Sequence, residues 1–213
     1  MTVQSTARVV ENLADMASAM RAVIEAGASS ARRHWVPATS GNFSARVDAN
    51  RVAITATGTD KGALCEEDVI VVGLDDAKHP RASAEAPLHY AIYRALPDVG
   101  AVLHVHSLNA TLASLRLAEN GKIVLKSLEL LKAFSGIKTH DTSIVVPVFT
   151  NTQDIDALAD EVVTATLGRP GVYGFLLEGH GIYAWGRTPA EAWRHLEAFD
   201  YLFNLQLELR RLS

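Results

Sequence analysis

Cysteine is almost absent: Cys65 is the only one in 213 residues. One thiol cannot close an intrachain disulfide, which excludes a disulfide-stapled scaffold and fits a reducing compartment. Its neighbours Glu66, Glu67 and Asp68 supply no cation to activate it, so Cys65 is not expected to be a nucleophile. No stretch approaches the roughly 18 consecutive apolar residues of a membrane span. Glu11 and Asp15 come early, unlike a secretory or transit leader, so a cytoplasmic location is expected. An excess of basic charge is also missing. Lys and Arg number 20 against 24 Asp and Glu, a net charge of −4. Neither nucleic acid nor a membrane surface is therefore an expected partner. An anionic substrate stays open, because a few local lysines and backbone N–H groups outweigh a weak global charge. Linkers, low-complexity tracts and repeats are lacking too, and the glycines and prolines are scattered as punctuation. This pattern predicts one domain over residues 1–213.

What is present is ample core material, with 48% apolar residues. Residues 7–33, rich in Ala, Glu, Met and Arg, predict a long first helix. TSGNFSARV, RVAITATG and EDVIVVGL read as short strands. SAEAPLHYAIYRALPDVG reads as a helix capped by Ser83 and stopped around Pro97 and Gly100. AVLHVH is a predicted strand, followed by a helix through NATLASLRLAENG, and IVVPVF is another strand. Ile155, Leu158, Val162 and Leu167 recur at near-helical spacing. VYGFLLEGHGIYAWG predicts two strands broken at Gly179-His180-Gly181. Beyond Thr188-Pro189 a long helix carries the stripe Trp193, Leu196, Phe199, Phe203 and Leu207, with Tyr201, Leu202 and Leu205 off it. That apolar surplus points to packing on more than one side, against another subunit. The interleaving of strands and helices gives an α/β class with a mixed or largely antiparallel sheet.

His104 and His106 are the sharpest chemical signal. Two residues apart on a strand, they share one face, while Leu103 and Val105 point the opposite way into a core. Such a pair supplies two adjacent ligands to a metal such as zinc, or is simply two strand histidines. His180, between two glycines at a turn, is a third candidate. His34, His79, His89, His140 and His195 look ordinary, His195 as a solvated or packed helix residue. Two glycine turns, Thr39-Ser40-Gly41-Asn42 and Thr57-Gly58-Thr59-Asp60-Lys61-Gly62, combine hydroxyls with free backbone N–H groups. They are plain turns or anion nests, and as a pair beside a metal candidate they hint at a phosphorylated substrate. Glu85 and Glu129 are candidate acid–base groups.

The segments TSGNFSAR, TATGTDKG, the Ser-Ala-Glu before a helix, LHVHS and EGHGIYAWG follow the order found in the class II aldolase/adducin family, which the chain resembles over residues 35–193. HWVPATSGNFSAR, LELLKAFSGIKTH, NTQDI and LLEGHGIYAWGRT look most like a branch of that family that removes water from a phosphorylated methylthio-ketose. The resemblance implies a central, mainly antiparallel sheet flanked by helices, assembled as a homotetramer with active sites between subunits. It implies one zinc ion per subunit on His104, His106 and His180, and phosphate contacts at Asn42, Thr57, Gly58 and Ser83. Ala84 stands where related aldolases often carry a second serine. The aldolase acid–base glutamate corresponds to Glu85, whereas the dehydratase glutamate lies in the segment carrying Glu129. Glu129 is therefore the expected catalytic carboxylate, with Glu85 as the second candidate. Burial would have to raise its pKa if one carboxyl is to serve both proton transfers. The rival readings are a sugar-phosphate aldolase or epimerase on the same metal site, and a non-catalytic adducin-like interaction module.

Overall fold

The computed structural model describes residues 3–76, 79–166, 169 and 171–213. The described elements run α1 (Val3–Arg32), β1 (Asn42–Arg46), β2 (Arg51–Thr55), β3 (Val69–Gly73), α2 (Ala86–Ala95), β4 (Ala101–Val105), α3 (Leu108–Arg116), β5 (Lys122–Lys126), β6 (Ser143–Phe149), α4 (Ile155–Thr166), β7 (Gly174–Leu177), β8 (Gly181–Gly186) and α5 (Pro189–Leu212). The strands form one eight-stranded sheet in the order β3-β2-β1-β4-β8-β7-β6-β5. Every pairing is antiparallel except that of β6 with β7. No described helix is long and apolar enough to cross a membrane.

Strand alternation divides the core between the two sheet faces. Phe43, Ala53, Leu103, Val105, Ile182 and Ala184 point to the face covered by α1, α3 and α5. Val52, Ile54, Val102, Phe175, Tyr183 and Trp185 point to the face covered by α2 and α4. The central strands β4, β7 and β8 are buried throughout, as strands covered on both sides must be. On β5, and on β6 as far as Val146, only alternate residues are buried, and the cross-strand pair Val124 and Val145 lies exposed on the other face.

The mainly antiparallel α/β architecture agrees with expectation, and the departures are local. The second helix starts at Ala86 rather than at Ser83. The Ser83 hydroxyl instead accepts from the Glu85 N–H at 3.3 Å, and Glu85 occupies the cap position without a side-chain cap bond. The third helix ends at Arg116, short of the expected AENG, because Asn120 and Gly121 take positive φ in the turn into β5. That strand, KIVLK, was not anticipated. Ser107 caps α3 by accepting from Ala110 N–H at 3.1 Å, and Thr188 caps α5 by accepting from Glu191 N–H at 3.1 Å. Leu167, expected on α4, lies outside the described residues. On α5, Leu202 joins the core instead of a second face, while Tyr201 is exposed.

Phe199 anchors α5, being fully buried with its ring 4.6 Å from Phe134 and 5.8 Å from Phe203, centroid to centroid. Replacing Phe199 by Ala is expected to lower stability by about 3–5 kcal/mol, because the aromatic contacts vanish and the surrounding core cannot close the hole. Urea unfolding followed by tryptophan fluorescence checks this, and an unchanged midpoint would contradict it.

Candidate metal centre

His104 sits on β4 with its ring toward the α2 face, in register with Asn42 of β1 and Tyr183 of β8. Its ring stacks on Tyr183 at 4.0 Å and 13°, and Tyr183 in turn stacks on Phe175 at 4.8 Å and 10°. His106 lies one residue beyond β4, where its backbone N–H donates to the Trp35 carbonyl at 2.8 Å. His180 occupies the β7–β8 turn. Gly179 takes φ +65° there, and Gly181 runs so close to β4 that a Cβ would lie 2.2 Å from the Val105 carbonyl oxygen. The second glycine thus serves the approach of two backbones, which brings His180 alongside β4.

The three rings converge. His106 Nε2 is 3.0 Å from His104 Nε2 and 2.9 Å from His180 Nε2. His104 Nδ1–H donates to the Ile182 carbonyl at 3.0 Å, and His180 Nδ1–H donates to Asn151 Oδ1 at 3.2 Å. Both rings therefore turn an Nε2 lone pair toward His106. Burial holds the His104 imidazole well below its ordinary pKa, helped by the nearby His106 and His180. Burial first, and then His180, push His106 down to about 4. At neutral pH the His104 and His106 imidazoles are therefore uncharged, and the three Nε2 atoms face one another. A proton on His106 Nε2 would have two acceptors to serve, His104 Nε2 and His180 Nε2, and can point squarely at only one, whereas a cation can draw a lone pair from each of the three rings. Two nitrogens on a tetrahedral zinc would stand about 3.3 Å apart, so the spacing found is close to a ligand set. Among the described residues these three form the cluster able to hold a metal ion.

Glu85 completes the rim. Its Oε1 is 3.3 Å from His180 Nε2 and its Oε2 is 3.5 Å from His104 Nε2. Asn42 Nδ2 donates to Glu85 Oε2 at 2.8 Å. Asn42 is buried, bonds His89 through its Oδ1, and has its side chain beside the Tyr183 hydroxyl as well. Thr57 N–H donates to the Arg81 carbonyl, which ties the exposed Thr57–Gly58 turn to the segment bearing Ser83. The buried Lys61 ammonium joins the two glycine turns, donating to Thr39 O at 2.9 Å and Thr59 O at 2.7 Å.

Glu129 lies elsewhere in its own chain. It opens a short 3-10 turn (Glu129–Ala133), and its side chain is 72% exposed and paired with Lys132 and His140. The hydrogen bond from Lys132 holds its carboxyl below the usual glutamate value. The burial expected to raise that pKa is not present within one chain. It lines a surface cleft with Arg33, Leu130, Glu197 and Tyr201 rather than with the histidines. Cys65 is exposed, donates to Asp68 at 3.1 Å and is raised in pKa by that bond, as its acidic surroundings predicted. His195 is packed, with Nδ1 donating to the Trp185 carbonyl at 2.7 Å.

The residues that sequence reasoning missed are Asn151, Tyr183, Lys61 and His89. Asn151 and Tyr183 fall within NTQDI and IYAWG, yet nothing local in those segments says that Asn151 orients a histidine or that Tyr183 supports one.

Comparison with known proteins places this geometry. The pattern of the Class II Aldolase and Adducin N-terminal domain matches residues 21–207. The chain is 50% identical over 194 residues to a methylthioribulose-1-phosphate dehydratase of Parvibaculum lavamentivorans, covering 91% of this chain and 95% of that one. It is 47% identical over 199 residues to a protein of the same name from Marinobacter nauticus, covering 92% and 96%. Among solved structures, L-fuculose-1-phosphate aldolase from Thermus thermophilus superposes with a TM-score of 0.72 at 25% identity, covering 91% of this chain and 96% of that one. A sugar-phosphate aldolase from Thermotoga maritima shares the fold, with a TM-score of 0.68 at 17% identity over 93% and 97% of the two chains.

Replacing His104, His106 or His180 by Ala should each remove most of the bound metal from the purified protein, with folding retained. Elemental analysis of each variant checks this; full occupancy in any one would remove that residue from the ligand set.

Proposed function

The chain belongs to the class II aldolase and adducin family, and we propose that it dehydrates 5-methylthioribulose 1-phosphate to 2,3-diketo-5-methylthiopentyl 1-phosphate, a hydro-lyase step of methionine salvage. The observation that carries this reading is the convergent imidazole cluster with Glu85 on its rim. It stands in a chain about half identical, over nine-tenths of its length, to a methylthioribulose-1-phosphate dehydratase.

His104, His106 and His180 would hold one zinc ion. Zinc bound there supplies Lewis acidity to a carbonyl and its neighbouring hydroxyl, which acidifies the adjoining C–H bond. The protein's own work is positioning and proton transfer. A carboxylate takes the C3 proton, and a carboxylic acid returns a proton to the C4 oxygen as that hydroxyl leaves. The net loss is one water, and the enol then tautomerises to the diketone. Asn42, Thr57, Gly58 and Ser83 would hold the phosphate, with Lys61 joining the two turns that carry Asn42, Thr57 and Gly58.

Glu129 is the proposed proton-transfer group, with Glu85 as the carboxylate already on the rim. Because Glu129 is exposed on a face away from its own histidines, it would serve the site of a neighbouring subunit in a homotetramer. Leu108, Leu112 and Leu115 support such an assembly, since they leave an exposed apolar stripe on α3. The aldolase reading is favoured by one observation: Glu85, not Glu129, touches the histidines within a chain. An adducin-like scaffold has no use for three lone pairs aimed at one point. A cytoplasmic location is consistent with the single, exposed, free thiol.

Incubation with methylthioribulose 1-phosphate should yield a product lighter by one water in mass spectrometry. Release of dihydroxyacetone phosphate from ketose 1-phosphates would instead favour the aldolase. Glu129→Gln should lower turnover about a hundred-fold or more with metal content unchanged, while Glu85→Gln should be milder. Wild-type turnover in Glu129→Gln beside a dead Glu85→Gln would reverse the assignment. Co-refolding inactive His106→Ala with inactive Glu129→Gln should restore part of the activity, since mixed oligomers contain sites with both groups intact. A monomer in sedimentation at micromolar concentration would exclude this arrangement.

A further inference from the structure

The seam between β1 and α2 contains a buried polar ladder that the proposed reaction has not yet used. On β1, Asn42 and Ser44 are two residues apart and share one face. On α2, Glu85, His89 and Tyr93 follow one another at intervals of four, from the cap position down one side of the helix. The two rows interlock. Asn42 Nδ2 meets Glu85 Oε2 at 2.8 Å, and Asn42 Oδ1 meets His89 Nε2. Ser44 Oγ lies 2.7 Å from His89 Nδ1 and 3.0 Å from Tyr93 Oη. Asn42, Ser44, His89 and Tyr93 are all at most 3% exposed.

Donor and acceptor chemistry allows one direction through this ladder. A carboxylate oxygen only accepts, so the Asn42 amide must turn its NH2 to Glu85 and its Oδ1 to His89. His89 then carries its proton on Nε2 and accepts at Nδ1 from the Ser44 hydroxyl. That leaves the Ser44 oxygen to accept from the Tyr93 hydroxyl. Burial lowers the His89 pKa to about 3, which keeps the ring neutral and preserves this one-donor, one-acceptor pattern. Arg46 fixes the far end, with its guanidinium 4.8 Å above the Tyr93 ring and Nη2 donating to the Tyr93 carbonyl at 3.1 Å. Reversing the Asn42 amide would set its oxygen against the Glu85 carboxylate and its NH2 against the His89 N–H, leaving two donors and two acceptors facing their own kind in a water-free seam.

We propose that His89 is a positioning residue whose neutral Nε2–H tautomer locks the Asn42 amide, and through it aims the Glu85 carboxylate at the metal centre. The functional part rests on the reading of Glu85 as a group of that centre; the wiring itself does not. His89 touches neither the metal ligands nor the space where substrate would lie, so its effect must pass through Asn42. Loss of the ladder should free the amide to rotate and let Glu85 leave its place 3.3–3.5 Å from the histidines.

The test combines spectroscopy of the metal-loaded protein with kinetics. In uniformly 15N-labelled protein at pH 7, His89 should show a protonated Nε2 and an unprotonated Nδ1, and the Asn42 side-chain amide should give one downfield, slowly exchanging proton. Ser44→Ala, which removes little bulk, and His89→Gln, which keeps a donor for Asn42 Oδ1, should both fold. His89→Leu removes that donor. The Asn42 signal should persist in His89→Gln and be lost in His89→Leu. Turnover should fall about ten-fold in His89→Leu with metal content near wild type, KM should rise because the freed amide is also a phosphate contact, and both should recover largely in His89→Gln. An Nδ1–H tautomer for His89, or an Asn42 amide indifferent to His89→Leu, overturns the wiring, and if His89→Leu does not fold, the tautomer and the Ser44→Ala spectrum decide. A correct spectrum with unchanged turnover in His89→Leu overturns the functional step. The absence of any dehydration by wild type would count against the reaction assigned above and leave the spectroscopic result standing.

Discussion

The position of β4 between β1 and β8 is the constraint on which the site depends. Antiparallel register sets Asn42, His104 and Tyr183 opposite one another across three strands, and Phe175 of β7 extends the row to a fourth. Each side chain in the row points to the α2 face because alternation along a strand leaves no other choice. A shift of one residue in either pairing would turn His104 into the opposite core and take Asn42 away from Glu85. Stacking of His104 on Tyr183 and the bond from His104 Nδ1 to Ile182 then fix the ring itself.

The site is assembled from parts that cannot be stable alone. His104 and His106 come from the end of β4, His180 from a glycine-flanked turn, and Glu85 from the start of α2. Their burial has an energetic consequence. The Nε2 atoms of His104 and His180 both face His106 Nε2, which has at most one proton to give them, so the chain alone leaves one of these contacts short of a hydrogen. The ladder behind Glu85 shows the opposite case, since Glu85 Oε2, Asn42 Oδ1, both His89 nitrogens, Ser44 Oγ and Tyr93 Oη each meet a complementary partner. A matched buried network is rigid, and an unmatched one costs on the order of 1–3 kcal/mol for each group left without a partner.

Much of this was legible before any coordinates. His104 and His106 could be paired because a strand has a period of two, a local property that sequence displays directly. The glycines around His180 signalled a tight approach, and Gly181 indeed runs against Val105. Other features were not legible for physical reasons. Ser83 looked like a helix cap, but the chain uses its hydroxyl to hold the Glu85 N–H and starts the helix later. KIVLK passed unnoticed as a strand, being a short edge element stabilised by pairing with β6. The place of Glu129, on a surface facing away from the histidines, depends on how the 3-10 turn packs against α5.

Local periodicity and residue chemistry set an α/β chain with enough apolar material for two core layers, a pair of imidazoles on one strand face, a third at a turn, and motifs ordered as in one family. Tertiary structure alone decided which distant groups meet. His89 looked like an ordinary helical histidine because its partners Asn42 and Ser44 stand 47 and 45 residues away in the chain. Asn151 found its role only where β6 and the β7–β8 turn come together. Strand order and register are long-range choices, made by the summed burial of two sheet faces, and no short window of sequence contains that sum.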